Sequence, residues 1–339
     1  MPSEFLLGSY TPEDSGEALE LERRCVQGTG LQLSFRRPTF HARIEGFSEW
    51  TIFTARKNGQ LAGVAGAATK PVVFRGVASR AALYLDLRVD PAARGRGVAQ
   101  MLCEATRLWA RQRSTIAYTY VMGANKPAHR LLTALGGTDV GGYRYLVLPV
   151  RPPAGARRAA AVTSPEEVHR QLHATVGPFD FCSTPEPHLS TRGHRGSWIV
   201  TSGSESAGCS AWSNEGILAE VVESLPWPLR LLRAARGTIS RLDRWCPPIP
   251  GPTEEVRSWY LYDWFATGSR LAPQLLDAVM AAAARQGIAY CYLIHREDEA
   301  GVTALRNGMP SLLSPVIPYR MILEPATTLH RIHVDVRDV

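Results

Sequence analysis

The chain has 339 residues, with 38 Lys and Arg against 31 Asp and Glu and a formal net charge of +7. That length allows two domains with sizeable cores, and a composition 45% hydrophobic and 20% charged is that of a globular protein rather than a disordered one. No apolar run reaches the roughly 20 residues of a membrane span, and no Lys/Arg stripe interleaved with aromatics marks a nucleic-acid face. Lysine occurs only at Lys57, Lys70 and Lys126, so arginine carries nearly all the positive charge.

Met1-Pro2-Ser3-Glu4 has neither the basic region nor the apolar core of a secretory signal, so a cytoplasmic location is expected. Thr11-Pro12-Glu13-Asp14 then predicts a helix start, with a capping hydroxyl, proline in the first turn and acids at the positive end. Asn58-Gly59 between two apolar runs predicts a hairpin. The run Leu83 to Val89 reads as a strand. Arg94-Gly95-Arg96-Gly97-Val98-Ala99 follows as a glycine-rich loop, and a helix is predicted from about Gln100 to Arg111. Strand, glycine loop and helix in that order turn backbone N–H groups toward one point, where the helix dipole also favours negative charge. Glycine admits close approach and arginine adds charge-assisted hydrogen bonds, which is chemistry suited to a pyrophosphate.

Past Pro152-Pro153, the stretch 150–162 reads as a linker. Ser164-Pro165-Glu166-Glu167 repeats the helix-start signal, with Glu167 completing a capping box. The repeat continues: LYLDLRV has a partner in WYLYDWF, placing Asp86 opposite Asp263. AQMLCEATRLWARQ parallels APQLLDAVMAAAARQ, and IAYTY parallels IAYCY, so one α/β unit is duplicated. Only Ala266 to Arg270 stands in the second half where the first has the glycine loop. The second half instead adds 223–252, basic and amphipathic in parts, with Leu232, Ala235, Ile239 and Leu242 near one helical face. A surface helix covering core or cleft is the favoured reading of that segment, ahead of a membrane-surface or acyl-chain contact.

The six cysteines, at 25, 103, 182, 209, 246 and 291, form no Cys-x-x-Cys pair and read as reduced thiols. His169 and His173 have metal-ligand spacing, but no Glu follows the first as in zinc peptidases, so an exposed helix face is expected and no metal site.

Arg94, Gly97 and Ala99 fit Arg/Gln-x-x-Gly-x-Gly/Ala, a pattern that resembles the acetyl-CoA loop of the GNAT superfamily of N-acetyltransferases. Asn125-Lys-Pro-Ala128, on a run ending at Gly136, resembles that superfamily's second motif. The resemblance covers about residues 45–150 directly and the second half through the repeat. It implies two tandem GNAT-like α/β domains, each a mixed, mostly antiparallel sheet flanked by helices. The expected division is a catalytic acyl-CoA-binding domain at 1–149, the linker at 150–162, a degenerate domain completing the acceptor site at 163–327 and a tail at 328–339.

The resemblance further implies that a sheet splays between strands at about 82–89 and 115–122. Main chain of Leu87, Arg88 and Val89 would hold the pantetheine arm of acetyl-CoA or another acyl-CoA. Arg94 to Ala99 would hold the pyrophosphate, and Asn125 would lie near the arm or cap its helix. The implied reaction is direct attack of a primary amine, on a small molecule or peptide, at the thioester carbonyl. A protein N-acetyltransferase and a non-catalytic CoA-responsive module are the alternatives. Relatives carry a tyrosine seven residues after the helix Asn, where this chain has Leu132, and a glutamate where it has Leu83 or Leu85. The candidate catalytic groups are therefore Asp86, to orient or deprotonate the amine, and Tyr143 or Tyr145, to protonate the thiolate. His295 to Glu299 is a candidate for substrate contacts or a plain charged loop. No nucleic-acid partner or membrane insertion is expected, and a homodimer is compatible.

Overall fold

The computed structural model describes residues 4–26, 31–151, 160–176, 182–183, 193–241, 246–268, 270–296, 305, 311–325, 332 and 334–338. Residues 152–159 of the predicted linker, Leu242 and 297–299 lie outside them. The first half runs β1 (Leu6–Ser9), α1 (Ser15–Arg24), β2 (Gln32–Arg36), β3 (Glu49–Lys57), β4 (Gln60–Phe74), β5 (Val77–Val89), α2 (Val98–Arg111), β6 (Ile116–Met122), α3 (Lys126–Ala134) and β7 (Thr138–Pro149). The second runs β8 (Ala161–Val162), α4 (Pro165–Val176), β9 (Cys182–Ser183), β10 (His194–Ser202), β11 (Glu205–Trp212), β12 (Ala219–Ser224), α5 (Trp227–Arg241), β13 (Ser258–Ala266), α6 (Leu271–Arg285), β14 (Tyr290–Arg296) and β15 (Val316–Glu324). Among the described residues no helix is long and apolar enough to cross a membrane.

The local reasons for these elements are the ones written in the sequence. Asn58 and Gly59 both take positive φ, 50° and 81°, as a two-residue turn between right-twisting strands demands. Asp14 accepts a hydrogen bond from the Thr11 amide at 2.7 Å, closing the first helix start. Each half repeats strand, hairpin, strand, helix and parallel strand: β3-β4-β5-α2-β6 is answered by β10-β11-β13-α6-β14. Among the described residues only two links in the large sheet are parallel, β5 with β6 and β13 with β14. This is the tandem GNAT-like arrangement, a mostly antiparallel α/β sheet with helices on it.

The halves are not separate sheets. The strand order is β1-β3-β4-β5-β6-β15-β7-β14-β13-β11-β10-β8. The last strand of the second half, β15, lies between β6 and β7 of the first, pairing Tyr319 with Met122 and with Tyr143. In turn β7 lies between β15 and β14, pairing Tyr145 with Ile294. Each half thus places its last described strand against the other. One buried cluster accordingly runs across the junction and includes Tyr118, Tyr143, Tyr145, Tyr260, Tyr292 and Met321. A smaller pair, β2 with β12, lies apart from the main sheet and joins the halves a second time.

Candidate functional site

β5 and β6 are hydrogen-bonded only from Ala81–Ile116 to Leu83–Tyr118. Beyond that the Thr119 hydroxyl reaches across to the Tyr84 carbonyl at 2.9 Å, and the strands part. On its other side β5 continues against β4 as far as Gly63–Val89. Leu87, Arg88 and Val89 therefore line an opening between two parallel strands. Within β5 the register slips: Leu85 faces Gly66 and Arg88 faces Val64, so Asp86 and Leu87 together face Ala65. This is a β-bulge, and it increases the local twist where the strands diverge.

The loop ends at the same edge. Gly95 and Gly97 have φ of 75° and 85°, a left-handed conformation that glycine adopts without strain. Gly97 is the N-cap of α2 and offers no side-chain cap, so the first amides of that helix have no partner from within it. An added Cβ at Gly95 or Gly97 would meet nothing within 4 Å, so the concave side of the turn is open. Arg94 to Gly97 are exposed while Val98 is buried beneath them. At Gly63 a Cβ would lie 2.8 Å from Val98 and 2.9 Å from Leu102, so this glycine sets how closely α2 sits on the sheet. Arg96 is paired with Glu4 and lies 5.4 Å from the Phe5 ring, while Arg94 Nε is 3.4 Å from the Val89 carbonyl. Asn125 caps α3, its side chain accepting from the Ala128 amide at 3.2 Å.

Residues 17–136 match the acetyltransferase (GNAT) family. The matched stretch runs from α1 to α3 and includes the parted strands and the glycine turn. Over the whole chain the fold is similar to that of Saccharomyces cerevisiae N-myristoyltransferase with bound myristoyl-CoA, at 12% identity and a TM-score of 0.60, covering 97% of this chain and 84% of that one. It is also similar to a tandem GNAT protein from the clavulanic acid biosynthesis pathway, at 13% identity and a TM-score of 0.55, covering 96% and 99%. A third likeness is to the GCN5-related N-acetyltransferase from Sphaerobacter thermophilus, at 13% identity and a TM-score of 0.51, covering 99% of each chain. No curated protein matches the sequence.

The candidate catalytic groups fall in places the sequence did not foretell. Asp86 is buried at φ 54°, with Arg37 Nη1 at 2.9 Å, Arg88 at 3.7 Å and Arg43 at 3.9 Å. Burial alone would raise its pKa, but these guanidinium groups outweigh it and hold the carboxyl far below the usual carboxylate range. Such a group is a poor proton acceptor, and its three guanidinium neighbours make it the anchor of an ion-pair cluster. Arg37 is shared with Glu22, to which it donates from Nε at 2.9 Å and Nη2 at 2.6 Å.

Tyr143 is 1% exposed, with its hydroxyl 3.8 Å from Met321 sulfur. Tyr145 lies two residues further from the parting strands, its ring 5.2 Å from Tyr292 and 5.8 Å from Tyr319. Burial, then Tyr260 and Glu220, push its phenol well above the ordinary value, so it stays protonated and gives up that proton reluctantly. Tyr120, which sequence reasoning passed over, sits on β6 beyond the parting point. Its ring is 5.7 Å from Tyr118 and 6.1 Å from Tyr143.

Two further constellations were also missed. Lys70, 2% exposed, pairs with Asp338 and lies 3.6 Å from Asp335, while the Tyr118 hydroxyl donates to Asp338 at 2.7 Å. Residues 336–338 are thereby packed against the face of the sheet that carries Tyr118. In the second half Asp263 has φ 51° and, with Trp264, faces Cys209 in a bulge like that at Asp86. Its partner is His169, whose Nδ1 is 3.0 Å away, and His173 Nε2 is 3.2 Å from His169 Nε2. The expected exposed histidine face is thus corrected, since His169 is turned inward onto a carboxylate. Among the described residues no group of three metal-ligating side chains converges.

His295 is buried on β14 with Nδ1 2.6 Å from the Arg296 carbonyl, and 297–299 lie outside the described residues. α5 buries Leu229 and leaves Trp227 and Leu231 68% and 61% exposed. A cavity of about 870 Å³ lies between α5 and the starts of β13 and β14, lined in part by Arg230, Arg233, Arg236 and Arg257. It is separate from the parted strands.

Proposed function

We propose that this protein is an acyl-CoA-dependent N-acyltransferase that moves an acyl group onto a primary amine. The carrying observation is the opening between β5 and β6, which leads straight to a glycine turn at the uncapped start of α2. An extended arm ending in a pyrophosphate fits that shape: the arm lies along Leu87 to Val89 and the phosphates rest on the amides of residues 95–99. The arm's peptide-like groups take the place of the missing strand, and the helix start supplies partial positive charge. Asn125 caps the helix beside the opening. The second half lacks the turn, so it holds the fold and walls the acceptor side rather than binding a second coenzyme.

For the transfer itself, the amine nitrogen attacks the thioester carbon, the C–S bond breaks, and the thiolate leaves with a proton. Main-chain N–H groups of the bulge at Leu87 to Val89 are the nearest donors for the developing oxyanion. The acceptor is a small-molecule or peptide amine reached from the tyrosine-bearing face. Thiol release from acetyl-CoA across a library of free amines and short peptides tests this, and turnover with at least one amine class is the expected result. Tight CoA binding with no turnover across the library supports the non-catalytic CoA-responsive reading, which the locked state of Asp86 and the Leu132 replacement favour.

A further inference from the structure

Glu220 on β12, half-buried, differs from the buried acids of the first-half and junction networks. Glu22, Asp86, Asp335 and Asp338 all face arginine or lysine. Glu220 has no cationic partner among the described residues. Its carboxylate instead accepts from the Tyr292 hydroxyl at 2.7 Å and from the Tyr260 hydroxyl at 3.4 Å, and Tyr260 is itself held by Asn214 at 3.0 Å. Further rings pack beside those two tyrosines. Tyr292 lies 5.2 Å from both Tyr145 and Tyr260, and Tyr145 lies 5.8 Å from Tyr319.

The surroundings fit one chemistry. A carboxylate ringed by phenols is costly to keep ionised without a counter-charge, and burial does raise the Glu220 pKa. An ammonium ion relieves that cost twice, through the carboxylate and through the faces of the rings. Glu220 and Tyr319 both keep part of their surface exposed. Arg43, the nearby cation, lies 3.9 Å from Asp86 and donates to the Asp338 carbonyl at 3.1 Å.

The position suits an acceptor. Glu220 pairs across the small sheet with Phe35, and the Phe35 ring lies 5.8 Å from Arg88, on the strand proposed to hold the pantetheine arm. The rings come from β7, β13, β14 and β15, so the cluster sits where the halves exchange strands. We propose that Glu220, with Tyr145, Tyr260, Tyr292 and Tyr319, forms the site that binds the ammonium group of the acceptor. As an acceptor site it rests on the transferase reading above, whereas its affinity for ammonium does not.

Calorimetry on the full chain with butylammonium and with butanol tests the site directly. Wild type is expected to bind the cation and not the alcohol, Glu220→Gln to weaken the cation at least about tenfold, and Tyr292→Phe to weaken it less. Unchanged cation affinity in Glu220→Gln, or equal binding of cation and alcohol by wild type, overturns the proposal. Should Glu220→Gln fail to fold, Tyr292→Phe and Tyr145→Phe carry the test, and full affinity in both overturns it. Acetyl-CoA is titrated in parallel. Coenzyme binding without ammonium binding sinks this site alone, whereas ammonium binding without coenzyme binding sinks the transferase reading and leaves the ammonium site standing. With an active amine in hand, Glu220→Gln is expected to raise KM for the amine about tenfold while KM for acyl-CoA stays within about twofold.

Discussion

Asp86 and Asp263 occupy the same place in the two halves: each is the left-handed residue of a β-bulge, at φ 54° and 51°, and each turns its carboxylate onto a basic side chain. A non-glycine residue held at positive φ costs of order 1 kcal/mol and persists only where its surroundings fix it. Here the fixing partner is Arg37 in one half and His169 in the other. The shared feature is therefore the bulge and its anchored acid, while the glycine turn belongs to the first half alone.

For Asp86→Asn the expected result is a less stable protein whose coenzyme affinity is little changed. Removing the anion leaves Arg37, whose side chain is fully buried, with Glu22 as its remaining partner, a loss of about 3 kcal/mol or more. The sign with pH follows from the depressed pKa. The unfolded chain takes up the proton first, so this contribution is present above the ordinary Asp pKa and is lost as pH falls toward the folded value. Urea unfolding at pH 7 and at pH 3 checks this, because the gap between wild type and variant is expected to narrow at the lower pH, below the ordinary Asp pKa.

Gly97→Val tests the turn. The substitution forces a β-branched residue to φ 85° and costs about 1–2 kcal/mol, but its side chain meets no neighbour, so the fold survives. Acetyl-CoA affinity measured by calorimetry is expected to drop by at least about a hundredfold. Wild-type affinity would count against the loop as the phosphate site.

Gly63→Leu acts from behind. The added side chain starts inside the contact between β4 and α2, where Val98 and Leu102 already stand under 3 Å from a Cβ. Overpacking of this kind costs about 1–3 kcal/mol and pushes the start of α2 outward. Both the melting temperature and the affinity for acetyl-CoA are expected to fall, although residue 63 lies behind the loop.

His173→Gln probes the second half. Burial first, then the neighbouring His169, lowers the His173 pKa against the opposing pull of Asp263. The unfolded chain thus protonates this group before the folded one does. Stability is expected to fall as pH drops below the ordinary His pKa near about 6.5, and the variant to lose part of that slope. Denaturation curves from pH 7.5 to 5.5 measure it, and identical slopes would show that His173 is indifferent to folding.

Much of the site was written locally. The glycine turn needs neighbours only three or four residues apart, Asn58-Gly59 makes its own hairpin, and Asn125 caps its own helix, so short-range backbone rules reach them. The pairing of Asp86 with Asp263 was legible because duplication preserved the order of strand, loop and helix. What tertiary structure alone decided are contacts between residues far apart in the chain. Arg37 neutralises Asp86, Lys70 meets Asp338 across 268 positions, and β15 crosses over to pair with β6. No periodicity encodes such partners, because they are chosen by which charges and strand edges come together once both halves have folded. Glu220 is the clearest case: in sequence it is one acid on a short strand, and only folding brings the hydroxyls of Tyr260 and Tyr292, 40 and 72 positions away, onto its carboxylate.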